Sequence, residues 1–236
     1  MGKTCVITGA SQGIGRAAAV RLSREPDIEQ FALISRSPEG LEATQQEMER
    51  GKSIRLLPFD LSDLDAIPGL VKQIHDEFGS IDLLLNIAGY ADPRSLLDTT
   101  AENLVSTYST NVFAMLILTR EVVRTMMGRG AKILNIASTA GSTARPGWVA
   151  YASSKAAVIS LSQTLSEELA GTGIRIYTIS PGRTATELRR KLAPEEDPST
   201  IMQPSTVADV IAFLMSDAER TLDGQNIVVR ESFGRA

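Results

Sequence analysis

The stretch VITGASQGIGR, residues 6–16, decides the fold of this chain. Residues 5–7 form a short apolar run with the character of a buried strand, and a helical pattern begins directly after the stretch. Between the two lie three glycines, Gly9, Gly13 and Gly15. The chain is therefore predicted to open with a strand, a glycine-rich turn and a helix.

The glycine-rich turn has the properties of an anion site. Glycine lets the backbone turn tightly and approach a ligand closely. The start of the following helix offers unpaired N–H groups and the positive end of the helix dipole. The spacing G-x-x-x-G-x-G differs from the G-x-G-x-x-G of the commonest dinucleotide fingerprint. We predict a phosphate-binding turn, with a glycine-rich turn that binds no ligand as the alternative.

Composition limits the classes of protein to consider. The chain of 236 residues suits one large α/β domain or two small ones, and 43% hydrophobic residues are enough for a sizeable core. The net charge of −4 argues against a general nucleic-acid or membrane-surface binder. No apolar run approaches the roughly 18 residues of a membrane span. Since no signal peptide precedes the first strand, we expect a soluble, cytoplasmic protein.

Two single residues are assigned ordinary structural roles. Cys5 is the one cysteine of the chain, so it has no disulfide partner within it, and we expect a buried core thiol. His75 is the one histidine and lies in a polar helical stretch without a neighbouring cysteine. We expect it on the surface, and we expect no metal site.

The rest of the chain alternates between strand and helix patterns. Further strands are predicted at residues 31–34, 54–59, 81–85, 132–137, 174–179 and 226–229. Helices are predicted at residues 38–50, 63–78, 102–127, 151–170 and 206–216. Residues 187–204 are rich in charge and proline and are expected to form a mobile flap. The alternation predicts one doubly wound α/β (Rossmann) domain over residues 1–236, with helices on both faces of a seven-stranded parallel sheet.

The residues that follow the strands are interpreted together, because ligands of doubly wound sheets lie beyond the carboxyl ends of the strands. Small and polar residues occupy these positions, namely the glycine turn, Ser35-Arg36-Ser37, Asp60-Leu61, Asn86-Ile87-Ala88-Gly89, Ser138-Thr139-Ala140-Gly141 and Pro181-Gly182. The joint pattern predicts one extended site at this edge of the sheet.

Over nearly its whole length the chain resembles the single-domain short-chain dehydrogenase/reductases. The resemblance rests on Thr8-Gly9-x-x-x-Gly13-x-Gly15, Asp60, Asn86-Ile87-Ala88-Gly89, Asn111, Ser138, Tyr151-x-x-x-Lys155 and Pro181-Gly182-x-x-x-Thr186. One departure is Ile87, which replaces the second asparagine of the family's Asn-Asn-Ala-Gly stretch. The resemblance implies an oxidoreductase that transfers a hydride between a nicotinamide cofactor and a carbonyl or alcohol.

The expected catalytic group consists of Asn111, Ser138, Tyr151 and Lys155. Tyr151 and Lys155 are four residues apart at a helix start and share one face. A nearby ammonium is expected to lower the phenol pKa from about 10, so that Tyr151 can act as acid or base. Ser138 is expected to bind the substrate oxygen. The resemblance implies that Lys155 also holds the nicotinamide ribose and that Asn111 holds a water that connects Lys155 with solvent.

Residues after the second strand predict the cofactor. An acid there binds the ribose 2′-OH of NAD, whereas an arginine accommodates the 2′-phosphate of NADP. Ser35-Arg36-Ser37 contains no acid, so we predict NADP(H), although Gln12 stands where many NADP-dependent relatives have a second basic residue. The full expected cofactor set is Gly9, Ser11, Gln12, Gly13, Ile14, Gly15, Ser35, Arg36, Asp60, Leu61, Asn86, Ala88, Gly89, Tyr151, Lys155, Pro181, Gly182, Thr184 and Thr186.

The sequence motifs do not identify the substrate. The chain resembles 3-oxoacyl-carrier-protein reductases and related carbonyl or sugar-alcohol reductases, and a nonenzymatic NADP-binding sensor is the alternative. Arg94, Arg145, Arg183 and Trp148 are expected near the pocket. The three arginines suggest an anionic or phosphorylated carbonyl substrate, with arginines at a subunit interface as the alternative. The resemblance also implies a homodimer or homotetramer that pairs the helices predicted at 102–127 and 151–170.

Overall fold

One parallel sheet of seven strands, in the order β3-β2-β1-β4-β5-β6-β7, forms the centre of the molecule. The computed structural model describes residues 2–128 and 130–231. The strands are β1 (Lys3–Thr8), β2 (Ile28–Ser35), β3 (Ser53–Pro58), β4 (Leu83–Asn86), β5 (Ala131–Ile136), β6 (Ile174–Pro181) and β7 (Asn226–Val229). The strand order reverses between β1 and β4, as in doubly wound folds. The predicted fold class is confirmed.

Helices cover both faces of this sheet. They are α1 (Gly13–Leu22), α2 (Pro38–Glu47), α3 (Ile67–Phe78), α4 (Ala101–Tyr108), α5 (Ala114–Met126), α6 (Val149–Glu168), α7 (Glu187–Leu192) and α8 (Pro204–Met215). Cys5 and Ile7 pack into the core beneath α1 and α8, whereas Val6 packs into the core beneath α3 and α5. This alternation buries β1 on both faces, as expected for a central parallel strand, and Cys5 is fully buried. His75 lies exposed on α3.

Apolar length within the helices is limited. In the ranges that the structure describes, no helix has an apolar segment long enough to cross a membrane.

The long helix predicted at residues 102–127 is interrupted. A π-helical segment, Ser109–Phe113, separates α4 from α5. Periodicity alone does not reveal this change, because a π turn adds a residue without adding a polar or glycine break. Single π turns inside helices occur frequently at functional sites. This one carries Asn111.

The segment 187–204, here called the flap, contains regular secondary structure. It contains α7 and a 3₁₀ turn, Pro198–Thr200, and Ile201 and Met202 are buried. The Oγ1 of Thr186 accepts a hydrogen bond of 3.1 Å from the Arg189 N–H and caps α7. The Arg189 side chain also pairs with Glu196 within the flap; the mobility expected for this segment stays a prediction.

A buried ionic cluster closes the opposite end of the sheet. Lys132 at the start of β5 and Glu219 after α8 are 5% and 2% exposed. The Lys132 Nζ donates to the carbonyls of Leu214 (2.9 Å) and Ser216 (2.6 Å). Glu219 accepts a hydrogen bond from the Tyr177 hydroxyl. These contacts fix the chain between α8 and β7 to the sheet.

Candidate active site

A cavity of about 450 Å³ opens at the carboxyl ends of the strands. The predicted residues that line it are Gly9, Ser11, Gln12, Gly13, Ile14, Gly15, Ser35, Arg36, Asp60, Leu61, Ala88, Gly89, Ser138, Tyr151, Lys155, Pro181, Gly182, Thr184 and Thr186. Its volume falls within the range of small-molecule sites. The structure thus brings together all but two of the predicted site residues, Asn86 and Asn111.

Glycines are required in the turn for two different reasons. Gly9 has φ +68°, and a Cβ there would lie 2.9 Å from the Ala88 backbone. Gly15 has no positive φ, but a Cβ there would lie 2.1 Å from the Gly9 carbonyl oxygen. The turn therefore leaves a concave backbone surface at the start of α1, which fits the diphosphate of a dinucleotide.

Side chains of neighbouring elements hold the turn in place. The Thr8 Oγ1 accepts hydrogen bonds from the N–H groups of Ile87 (2.9 Å) and Ala88 (3.1 Å) and ties β1 to the loop after β4. The Arg16 Nη2 donates to the Ser11 carbonyl at 2.6 Å. These side-chain contacts hold the turn against the loop after β4 and the start of α1.

The end of β2 offers groups suited to a 2′-phosphate. The Ser35 Oγ donates to the Ser11 Oγ at 2.7 Å, and the exposed Arg36 lines the cavity beside them. Asp60 lies close enough to Arg36 for the guanidinium to contribute to its lowered pKa, after the larger effect of a hydrogen bond from the Ser62 N–H. Two hydroxyls and a guanidinium therefore meet at this end of the cavity.

Tyr151 and Ser138 meet on the substrate side. Tyr151 is 6% exposed, and it packs against Ala91 and Ala140. Burial raises the pKa of the Tyr151 phenol, and this outweighs the lowering effects of a hydrogen bond to Ser138 and of the Arg189 charge. Ser138 lies at the end of β5, where its Oγ accepts a hydrogen bond of 3.1 Å from the Ala140 N–H.

Lys155 lies beneath the tyrosine and is fully enclosed by protein. Its Nζ donates to the Ile136 carbonyl at 2.8 Å and lies 5.8 Å from the centre of the Tyr151 ring. Burial lowers the pKa of Lys155 to about 8. Burial is the largest effect on the pKa of both groups, and the net shift of the Tyr151 pKa is upward, opposite to the expected direction.

Asn111 forms hydrogen bonds with the loop after β4 and does not line the cavity. Its Oδ1 accepts from the Tyr90 N–H at 2.7 Å, and its Nδ2 donates to the Tyr90 carbonyl at 2.9 Å and to the Ser154 Oγ at 3.0 Å. Asn111 thus joins the π-helical segment, the loop and α6. A Cβ built on Gly89 would lie 3.7 Å from both the Asn111 Oδ1 and the Lys155 Nζ, so the asparagine stays near the lysine.

Asn86 lies within the core of the sheet. Its Nδ2 donates to the Asn135 Oδ1 at 2.8 Å and to the Thr119 Oγ1 at 3.0 Å. Its side chain is 6% exposed, and the motif that contains it reaches the cavity through Ile87, Ala88 and Gly89 instead. The sequence pattern identified the right segment, but it did not show which way the Asn86 side chain points.

The flap after Thr186, which the sequence predicts as a wall of the pocket, lines the substrate side. Leu188, Arg189 and Leu192 of α7 line the cavity next to the expected Arg145, Trp148 and Arg183. A helical pattern after the capping residue Thr186 was the sequence signal for these individual residues. Arg94 lies outside the lining, and its Nε donates to Asp92 at 3.0 Å.

Comparison with known proteins decides the family. The family model described as short chain dehydrogenase matches residues 3–197. This chain belongs to the short-chain dehydrogenase family. The resemblance inferred from the motifs is confirmed, and the matched range includes every predicted catalytic residue.

Several relatives cover the chain almost completely. The NADP-dependent 3-hydroxy acid dehydrogenase of Schizosaccharomyces pombe is 31% identical and aligns over 100% of this chain and 95% of its own length. The 3-oxoacyl-acyl-carrier-protein reductase FabG of Haemophilus influenzae is 31% identical and aligns over 97% of this chain and 96% of its own length.

A solved member of the family shares the same architecture. The structure of a short chain dehydrogenase from Burkholderia cenocepacia in complex with NADP is 28% identical. It covers 98% of this chain and 97% of its own chain, with a TM-score of 0.88. This short-chain dehydrogenase is therefore an oxidoreductase by family, with a site that fits a nicotinamide dinucleotide.

Proposed function

We propose that this short-chain dehydrogenase is an NADPH-dependent carbonyl reductase, with Tyr151, Lys155 and Ser138 as its catalytic residues. The observation that carries the proposal is that the phenol, the ammonium and the hydroxyl line one cavity with the glycine turn. A dinucleotide that lies across the turn reaches toward Tyr151, so cofactor and proton donor share one space. The NADP-bound relative from Burkholderia cenocepacia supports the same cofactor.

Each residue of the proposed catalytic group has a separate role in the reduction. Bound NADPH supplies the hydride, and the protein orients both partners. Ser138 donates a hydrogen bond to the substrate oxygen as negative charge develops there. Tyr151 transfers its proton to this oxygen, and the Lys155 ammonium stabilises the phenolate that remains. Asn111 holds the Tyr90 backbone and Ser154, which keeps the loop after β4 in place beside Lys155.

Arg36 makes the cofactor preference testable. We expect the unmodified protein to prefer NADPH over NADH, and the double variant Ser35→Asp/Arg36→Leu to shift toward NADH. The change removes a charged hydrogen bond to the 2′-phosphate and adds an acceptor for the 2′-OH. Loss of one such bond costs about 1.5–3 kcal/mol, which corresponds to roughly 10- to 150-fold in kcat/KM.

Kinetics with both cofactors measure this shift. The matched control is Arg50→Leu, which removes an exposed arginine outside the cavity. Equal turnover of NADPH and NADH by the unmodified protein would contradict the preference, and so would a double variant with an unchanged ratio.

Lys155 is expected to serve both catalysis and cofactor binding. In Lys155→Met we expect turnover to fall by about 100-fold or more, because the buried phenol loses the cation that stabilises its ionised form. NADPH affinity should fall as well, because the ribose loses a donor. Fluorescence titration and steady-state rates separate the two effects. Lys72→Met is the control, since Lys72 is exposed and pairs with Asp76 alone. Undiminished NADPH affinity in Lys155→Met would remove the ribose role.

The reaction class is tested with a panel of diketones, oxoacyl thioesters and phosphorylated keto sugars, followed by NADPH absorbance. Two relatives act, by name, on 3-hydroxy acids and on 3-oxoacyl carrier-protein substrates, which supports a carbonyl near an acyl group. A 3-oxoacyl-carrier-protein or keto-sugar reductase is the narrower alternative. If the protein binds NADPH and reduces no carbonyl compound, the nonenzymatic sensor is favoured.

The proposal includes self-association and a small-molecule substrate. The resemblance implies pairing of the helices that carry Asn111 and Tyr151 with their copies in a dimer or tetramer. Exposed apolar side chains on these elements support it, since Val105 is 61%, Phe113 44% and Val149 44% exposed. A cytoplasmic location remains part of the proposal.

A further inference from the structure

The flap places an arginine at the substrate end of the cavity. Arg189 lines the cavity together with Tyr151 and Trp148. Its guanidinium carbon lies 5.7 Å from the centre of the Trp148 ring, and that ring packs edge-on against Tyr151 with centroids 6.2 Å apart. The Arg189 charge reaches the tyrosine, because it is among the effects that lower the Tyr151 pKa.

Glu196 holds Arg189 from outside this cavity. The Arg189 Nε donates to the Glu196 Oε2 at 2.6 Å, and the Nη2 donates to the Oε1 at 2.9 Å. Glu196 lines a neighbouring cavity behind the flap and does not line the one with Tyr151. Among the described residues, the Arg189 Nη1 has no hydrogen-bond acceptor. Arg189, which lines both cavities, is thus held by Glu196 and keeps its Nη1 free of acceptors from the described residues.

Charge at this end of the cavity is not balanced. The Glu196 carboxylate is shared, since the Arg183 Nη1 also donates to its Oε1 at 3.0 Å. Glu187 lines the cavity but pairs with Arg190 at 2.9 Å. Within the described residues Arg145 lines the cavity without an ion pair. Two arginines that share one carboxylate, beside a third arginine, leave an excess of positive charge.

We propose that Arg189 is a specificity-determining residue that binds an anionic group, a carboxylate or a phosphate ester, on the carbonyl substrate. The guanidinium fork suits either oxyanion. Trp148 neighbours both Arg189 and Tyr151. The substrate is therefore expected to carry its negative charge on a group separate from the carbonyl that Tyr151 protonates. The inference rests on the proposed reductase function and narrows its substrate class.

Matched pairs of substrates test the proposal. The acids 3-oxobutanoate, 4-oxopentanoate and 5-oxohexanoate are compared with their methyl esters, and dihydroxyacetone phosphate with dihydroxyacetone. We expect the unmodified enzyme to prefer one charged series, which identifies the anion as carboxylate or phosphate. In Arg189→Met the ratio of charged to neutral kcat/KM should fall by roughly 10- to 150-fold. Arg189→Lys, which keeps the charge without the fork, should retain part of the ratio.

Lys191→Met is the control, because Lys191 is exposed on α7, lies outside the cavity lining and does not pair with Glu187. Its charged-to-neutral ratio should match that of the unmodified enzyme. Circular dichroism and NADPH titration establish that each variant is folded. A preference for neutral substrates, or an equal ratio in Arg189→Met and the unmodified enzyme, would overturn the inference and leave the proposed reductase function intact.

Binding measurements separate failure of the inference from failure of the proposed function. Trp148 is the one tryptophan of the chain, so its fluorescence reports ligands beside Arg189 without turnover. If no carbonyl compound is reduced, the proposed function fails. The inference then stands if an acid or phosphate from the panel changes the fluorescence of the unmodified protein and not of Arg189→Met. It is overturned if charged and neutral compounds give the same response.

Discussion

Turnover of Tyr151→Phe is expected to fall by about 10²- to 10⁴-fold, with NADPH affinity close to that of the unmodified protein. The substitution removes one hydroxyl and keeps the ring that packs against Ala91 and Ala140. Reduction of a carbonyl then leaves an alkoxide without the phenol that is proposed to protonate it. General acid catalysis contributes a factor of this size.

The structure strengthens this expectation through the pKa of the phenol. Burial holds the Tyr151 pKa above its usual value, so the side chain is protonated at neutral pH and ready to donate. Residues 149–168 of α6 contain no second tyrosine, and the ring that neighbours Tyr151 is the Trp148 indole. Tyr90, on the loop after β4, is the other phenol that lines the cavity. Ser138 remains in the variant, but its hydroxyl is a far weaker acid.

Steady-state rates and fluorescence titration of NADPH on the same preparations measure the effect. Tyr108→Phe is the control, since Tyr108 lies outside the cavity and packs near Phe113 with ring centroids 6.2 Å apart. Its turnover should match that of the unmodified protein. A Tyr151→Phe protein with undiminished turnover would remove the catalytic assignment.

Glu219→Ala is expected to lower the free energy of unfolding by about 3–5 kcal/mol, which is the range for breaking a buried ion pair by removing one partner. Glu219 accepts hydrogen bonds from the N–H groups of Thr221 (2.5 Å) and Leu222 (2.7 Å) and from the Tyr177 hydroxyl. Its carboxylate also lies 3.9 Å from the Lys132 Nζ. The alanine leaves the buried Tyr177 hydroxyl and the two partly buried N–H groups without their acceptor.

The same cluster gives the stability a pH dependence. Burial would raise the Glu219 pKa, but hydrogen bonds from Tyr177, Thr221 and Leu222 and the Lys132 charge outweigh it, so the pKa lies below its usual value. A carboxyl with a lowered folded pKa stabilises the protein above its unfolded pKa of about 4.3 and loses this contribution as the pH falls. The difference between the two proteins should therefore shrink in acid.

Urea unfolding at several pH values measures both effects. Glu168→Ala is the control, because Glu168 is exposed at the end of α6 and should change stability by less than about 0.5 kcal/mol. A loss below about 1 kcal/mol in Glu219→Ala at neutral pH would show that the cluster contributes little.

The amino-acid sequence by itself determined the architecture and most of the candidate site. Alternating apolar patterns predicted the seven strands, and residues 6–16 predicted the turn at the start of α1. Nearly all the residues predicted at strand ends line one cavity, because parallel strands present their carboxyl ends at the same edge of a sheet. The spacing of Tyr151 and Lys155 predicted a shared helix face, because helix geometry depends on neighbours close in the chain.

Side-chain directions, ion pairs and pKa shifts depend on contacts between segments that are distant in the sequence, so only the tertiary structure decided them. Asn86 turns into the sheet core, and Asn111 binds the Tyr90 backbone; neither direction follows from the motif that contains it. Arg189 pairs with Glu196 within the flap, which the composition of the flap does not show. Burial sets the pKa of Tyr151 and Lys155, and burial depends on which elements close over them. Local periodicity specifies elements and their faces, whereas side-chain direction, ion pairing and desolvation arise only when those faces meet.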